Sequence, residues 1–522
     1  MTRKFLSMLL AALFLCSALA GCSSKSSAAE STVTEAAEET AAETEAAEEE
    51  TEAPEEPAAA AEVGTGDAYS ADGSDEHALS VSGETAVYDN ISVSKTGDSS
   101  GDESDFYGTN AAVYAENGAD LTVTNSKIVT DGSHANAVFS YGEGTKLTIS
   151  DSVIETSQNN SGGIMVTGGG ELNASNLQVT TQGGSSAAIR SDRGGGSMTV
   201  EGGSYASYGS GSPAIYSTAD ITVSDAELYS DISQAVVVEG KNSVTLIDCD
   251  AVGKNTKKNS DNSDTFQAVM VYQSMSGDAA EGEGRFSMTG GSLTSLNGGM
   301  FFVTNTVAEI SLEDVALTYA TDDLLRIEAA GWGNEGSNGG QVNFRASNQE
   351  LAGIISVDEI SKLNLYLTDG SVFEGSVDSD GQVYVELSGG SVWKLTGDSV
   401  ISGLTCDADS IDLNGYTLTV DGRAYTAGTA MSGEALEFDY SSGGHDGMGG
   451  PGGEGGDMTP PDGMGGGQGG PGGQGGDMTP PDGEAGGQGG PGGQGGDMTP
   501  PDGEGGGQGG PGSGEEPPAK PE

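Results

Sequence analysis

An alternation of apolar and polar positions returns along the chain about every 23 to 26 residues: LTVTNSKI from Leu121, LTISDSVI from Leu147, LNASNLQV from Leu172, MTVEGGSY from Met198 and ITVSDAEL from Ile221. In LTVT, Leu121 and Val123 point one way and Thr122 and Thr124 the other, which is the period of two of a half-buried strand. A unit this short cannot bury its own apolar side, so it must stack on its neighbours. A second strand is expected in each repeat, in AAVYA from Ala111, NAVFS from Asn136, GIMVT from Gly163, AAIRS from Ala187, AIYS from Ala214 and AVVVE from Ala235. Asn117-Gly118, Asn125-Ser126 and Gly168-Gly169-Gly170 supply corner residues that tolerate positive φ or bond their own backbone.

These features predict an all-β chain: a single-domain parallel β-helix, or solenoid, over residues 65–440. About a dozen rungs spaced by roughly 4.8 Å would make a rod on the order of 60 Å long. Later rungs are legible in MFFVTNTVAEISLEDVAL from Met300, VYVELSGGSVWKL from Val383 and IDLNGYTLTV from Ile411. Longer stretches interrupt the period at Thr96 to Asn110, Lys254 to Phe266, Ser274 to Arg285 and Ala330 to Gly340. On a solenoid such insertions gather as loops and mark the working face.

The two ends read as different material. Thr2-Arg3-Lys4, the apolar run Phe5 to Leu15 and Leu19-Ala20-Gly21-Cys22 resemble a bacterial lipoprotein signal, residues 1–21, with Cys22 as the lipidated residue. Residues 22–64 are nearly all Ala, Glu, Ser and Thr and are expected to form a disordered acidic tether. Residues 441–522 form a Gly/Pro-rich tail, expected to be disordered, in which DMTPPDG recurs from Asp457, Asp477 and Asp497. The expected location is the outer face of the cytoplasmic membrane, anchored by lipid, with the body extracellular.

With 80 Asp and Glu against 19 Lys and Arg, the formal net charge of −61 opposes nucleic acid and anionic membrane surfaces as partners. Neutral or cationic glycans and divalent cations stay open, and the chain is expected to be a monomer. Of four cysteines, only Cys249 and Cys406 fall in the predicted body, where each reads as a small core residue.

Candidate chemistry is sparse. Asp98, Asp102, Glu103 and Asp105 crowd one insertion and supply hard oxygen ligands suited to calcium. Trp332, in AAGWGNEGSNGG, and Tyr107 are the candidate ligand-binding aromatics. The acid pairs Glu313-Asp314 and Asp322-Asp323, the latter near Arg326, read as solvated turns in a chain this acidic. His77 and His134 lie in turn-like segments, so no histidine-based acid and base pair stands out. No catalytic residue is assigned.

Together FYGTNAAVYAENGADLTV, GSPAIYSTADITV, VEGKNSVTL, VYQSMSGDA, MFFVTNT and WGNEGSNGGQV resemble a family of Gram-positive, lipid-anchored cell-surface proteins. The resemblance implies a right-handed, pectin-lyase-like parallel β-helix and an adhesin-like or polysaccharide-binding role without enzymatic activity. The alternatives are a calcium-dependent polysaccharide lyase or hydrolase, and a structural spacer of the envelope.

Overall fold

The computed structural model describes residues 63–439, apart from 259–261 and 275. The expected signal, Cys22, most of the tether and the tail repeats lie outside them. Strands follow one another from Ala68–Ala71 to Arg423–Ala424, with one short helix, Asp102–Phe106, among the described residues. The fold is a parallel β-helix.

Three ladders run along it. The first stacks 14 strands from Leu79–Ser82 to Ile411–Asp412. The second begins Thr85–Asp89, Asp120–Thr124, Lys146–Ser150, and the third begins Ala68–Ala71, Ser92–Lys95, Lys127–Thr130, Val153–Thr156. In Gly170–Thr181 and Gly196–Ser207 the second and third merge into single long strands, so both ladders belong to one sheet.

The repeated motif lies on the second ladder. Leu121, Leu147, Leu172, Met198, Ile221 and Val244 are mutual partners rung by rung, and all are buried. Further on this column continues through Phe286, Ile310 and Phe344, and Phe301 of the first ladder meets its aromatic rings across the core, edge-on to Phe344 at 5.6 Å and 6.1 Å from Phe286. Trp393 is fully buried, stacked on Phe373 at 5.6 Å, and its Nε1 donates to Gly375 O at 3.0 Å.

The corner that follows the second ladder explains a recurrent residue choice. Asn90, Asn125, Asp151, Asn176, Gly202, Asp225, Asp248, Gly290, Asp314, Asn348, Asp369 and Gly389 occupy it in twelve successive rungs, and every one has φ between 48° and 69°. That left-handed conformation crowds a Cβ against the next carbonyl, so only Gly and the short polar Asn and Asp take it readily. Inside the third corner a hydroxyl does similar work. Thr156 Oγ1 donates to Ser161 O at 2.6 Å, Thr181 Oγ1 to Ser186 O at 2.5 Å and Ser207 Oγ to Ser212 O at 2.7 Å. In the rung of Ser92–Lys95 the buried Lys95 holds that place, donating to Gly73 O at 2.7 Å and Gly97 O at 2.9 Å.

The rung changes form along the chain. The third ladder ends at Ala316–Tyr319. Beyond it Gln341 pairs with Lys362 and Lys362 with Gln382, so a rung shortens to 21 and then 20 residues and keeps two ladders. After the last rung Thr419–Val420 turns back antiparallel on Arg423–Ala424, and Cys406 bridges Met431. The chain then runs back over the outside of the second ladder as a strap. Asn364 Nδ2 donates to Leu436 O at 3.0 Å while its Oδ1 accepts Leu436 N–H at 2.9 Å. Gln341 clips Asp439 in the same two-way manner at 3.1 and 2.9 Å.

Candidate functional site

The first ladder is buried on both faces, which is why AAVYA, NAVFS and GIMVT show no alternation. Its outward column runs Tyr114, Phe139, Met165, Arg190, Tyr216, Val237, Met270, Phe302 and Arg326, each opposite the next. Apolar residues this far out would lie in water but for the insertions, which fold over them.

The insertion Thr96 to Asn110 roofs the first apolar stretch. Tyr107 packs on Ala111, Tyr114, Phe139, Tyr141 and Met165, and its carbonyl accepts from Tyr114 Oη at 2.8 Å. Thr167 Oγ1 donates to Phe106 O at 2.5 Å, and the Arg193 guanidinium lies 4.0 Å from the centre of the Phe106 ring. The insertion Ala330 to Gly340 roofs the second. Trp332 packs with Ala330 on Val237, Met270, Phe302, Tyr216 and Tyr272, meeting Tyr272 edge-on at 5.2 Å. Buried Asn338 holds this loop closed by donating to Ala330 O at 2.6 Å and Trp332 O at 2.9 Å. Tyr107 and Trp332 thus fold back onto two separate clusters, and both are half-buried.

Between the roofs the column turns polar. Arg190 is buried, its Nη2 donating to Asp192 Oδ2 at 3.0 Å and its Nη1 lying 3.5 Å from Asp105 Oδ1. Asp105 comes from the roofing helix, and its Oδ2 also meets His134 Nδ1 and Asn160 Nδ2, each at 3.1 Å. Arg193 pairs with Asp278 of a third insertion at 2.8 Å. Tyr216 Oη donates to Glu239 Oε2, which also accepts from Tyr272 Oη at 2.9 Å. These groups surround a pocket of about 230 Å³ lined by Ser185, Ala187, Arg190, Asp192, Gly211, Tyr216 and Asp278.

Two features make the pocket unlike a row of surface ion pairs. Burial pushes the Asp192 carboxyl up to about 6, outweighing the pull of Arg190, and the nearby Asp278 charge adds to the rise. The buried Arg190 guanidinium is held between Asp192 and Asp105, and its Nη1 meets Asp105 Oδ1 at 3.5 Å without a well-aligned hydrogen bond, so the charges are fixed at the pocket wall. The volume lies below the ~300 Å³ lower end of pockets for drug-sized ligands, so it suits a single small ring.

Asp98, Glu103 and Asp105, three of the four residues proposed for calcium, do not converge. Asp98 Oδ1 accepts the Ser133 N–H at 2.8 Å, Asp102 opens the short helix, Glu103 faces solvent and Asp105 turns inward to Arg190. Among the described residues no three His, Cys, Asp or Glu side chains are arranged to hold a metal ion. Glu313 and Asp314 form an exposed corner, whereas Asp323 and Glu328 bracket Arg326 at 3.1 and 3.4 Å. His77 stacks on Tyr114 at 4.3 Å with Nδ1 on Ala111 O, and burial lowers its basicity.

Sequence reasoning passed over Arg190, Asp192, Tyr216 and Asp278. A signal for Arg190 was present: AAIRS places a cation where the neighbouring rungs carry Tyr, Phe and Met. Comparison of the chain with protein-family models, with curated proteins and with solved structures found no match in any of the three.

Proposed function

We propose that this protein is a non-enzymatic, lipid-anchored cell-surface module of the Gram-positive kind its strings resemble, and that the Arg190 pocket takes one unit of a polysaccharide. The observation that carries the reading is the pocket itself: a buried guanidinium held between two carboxylates beside a tyrosine, set between two roofed apolar patches. Sugar hydroxyls both donate and accept, and a ring of mixed arginine and carboxylate answers both needs. Rigid rungs hold these groups in place before the ligand arrives, which lowers the ordering cost of binding.

The test is a glycan array with the full chain and with Gly211→Asn. Gly211 has φ 65°, which Asn tolerates, and a Cβ there meets nothing nearer than Ser185 Oγ at 3.9 Å. The variant therefore folds normally with a side chain in the pocket mouth. Binding that Gly211→Asn abolishes supports the reading; binding that it leaves untouched, or none at all, counts against it and favours a structural spacer.

One observation favours a second reading, a polysaccharide lyase or hydrolase. A carboxyl titrating near 6 can serve as a general acid near neutrality. New reducing ends or unsaturated products from polysaccharide substrates, with or without calcium, would establish that reading over binding alone.

A further inference from the structure

The Arg190 pocket has a counterpart. Arg326 lies in the same outward column, reached from Arg190 through Tyr216, Val237, Met270 and Phe302. Five rungs separate them, about 24 Å at roughly 4.8 Å per rung. Arg326, like Arg190, sits between two carboxylates, Asp323 and Glu328, and these three groups line a recess of about 420 Å³ with Thr265, Gly298 and Thr321.

Between the two stations lies only a crevice of about 10 Å³, lined by Gln234, Lys258, Gln267, Met270 and Trp332, which a chain held at both stations would pass over rather than enter. Gln267 is 1% exposed, and its Oε1 has no hydrogen-bond partner. All three recesses follow the corner that leads into the first ladder, at Ser185 and Gly211, at Gln234 and Gln267, and at Gly298 and Thr321. They therefore lie in one line parallel to the stacking direction.

Charge decides what could occupy this line. At the first station Asp105, Asp192 and Asp278 face Arg190 and Arg193; at the second Asp323 and Glu328 face Arg326. With every carboxylate ionised, each station carries one uncompensated negative charge, because Asp264, which also lines the second recess, is neutralised by Lys258. A polyanion is repelled at both ends and by the net charge of −61.

We infer that the pocket is one end of a track that holds a linear amino-polysaccharide along the rod, with protonated amines at the Arg190 and Arg326 stations. This rests on the saccharide reading above and extends it to a polymer, a charge class and a length. An extended saccharide advances by about one rung per residue, so occupying both stations takes a chain of about five or six units.

The experiment is calorimetric titration of the full chain at low salt with glucosamine dimer, glucosamine hexamer and N-acetylated hexamer. The hexamer should bind at least about tenfold more tightly than the dimer, because the second contact becomes intramolecular. The N-acetylated hexamer should lose that advantage. Asp323→Asn with Glu328→Gln, at partly exposed positions, should bring the hexamer to the dimer's affinity and lower the number of dimer molecules bound per chain from two to one. Equal affinities for dimer and hexamer, or for amine and N-acetyl forms, would overturn the track while leaving the Arg190 pocket standing. So would a length advantage that survives the double substitution, or equally tight binding of spermine, which offers charge without a sugar. Failure of every saccharide to bind would remove both proposals.

Discussion

Asn176 tests the account of the corner most directly, because its conformation and its side chain make separable contributions. Its φ is 50°, and its Nδ2 donates to Asp151 Oδ1 at 2.8 Å on the exposed edge. Replacing it by Gly removes the hydrogen bond, worth about 0.5–1 kcal/mol at such a site, and adds freedom to the unfolded chain worth a similar amount. Replacing it by Val removes the same hydrogen bond and forces a β-branched side chain into the left-handed region, at a cost of about 2–3 kcal/mol. Val should therefore be the more damaging by about 2 kcal/mol, although it is the better strand former by propensity. Denaturant unfolding of both variants measures the difference. Hydrogen exchange should show the loosening centred on the rungs of Asp151, Asn176 and Gly202, since a solenoid rung couples mainly to its neighbours. Equal stability of the two variants, or a more stable Val variant, would refute the claim that backbone conformation selects the residues of this column.

Three further outcomes are expected. Trp393→Ala should cost about 3–5 kcal/mol by opening a cavity against Phe373 and leaving Gly375 O with only its bond from Thr396 N–H, whereas Trp393→Phe should cost less than half of that, both read by denaturant unfolding. Lys95→Met keeps the buried length but strands the carbonyl of Gly73, while Gly97 O keeps its bond from Asn110 Nδ2, and should destabilise by about 1–3 kcal/mol, with proteolysis near residue 73 as a local readout. Asp192 is protonated more readily in the folded chain than its ordinary value of 3.8 allows, so its ionisation opposes folding: the contribution is most favourable below 3.8 and is lost as pH rises through about 6. Relative to Asp192→Asn, the natural chain should lose about 3 kcal/mol between roughly pH 4 and pH 7.5, and a difference that stays flat or grows with pH would contradict the burial argument.

Much of the fold was legible because it follows from local rules that repeat. The alternation at Leu121 and Val123, the positive-φ corners at Asn117, Gly118, Asn125 and Gly168, and the buried thiols of Cys249 and Cys406 all stand as the sequence implied. The insertions at Thr96 and Ala330 could be placed as loops, but the surface each would cover could not be seen. Asp105 and Asp192 are 87 positions apart, and only the stacking of rungs brings both to Arg190. Depth was equally hidden for Trp332 and Tyr107, the expected ligand-binding aromatics, each of which lays a half-buried ring over apolar neighbours. Arg190 was the one residue of its pocket with a local mark, a cation where the adjacent rungs carry Met165 and Tyr216.

The strap clipped by Gln341 and Asn364 has a mechanical consequence. Because residue 439 lies beside Gln341, tension applied to the chain that follows would enter the rod several rungs before its last one. The amide clips at Asp439 and Leu436 would be loaded first and would open one at a time, followed by the bridge of Cys406 to Met431. Only after that slack is drawn out would force reach the final rung. A short, renewable extension would thus absorb a pull before the stacked ladders bear it.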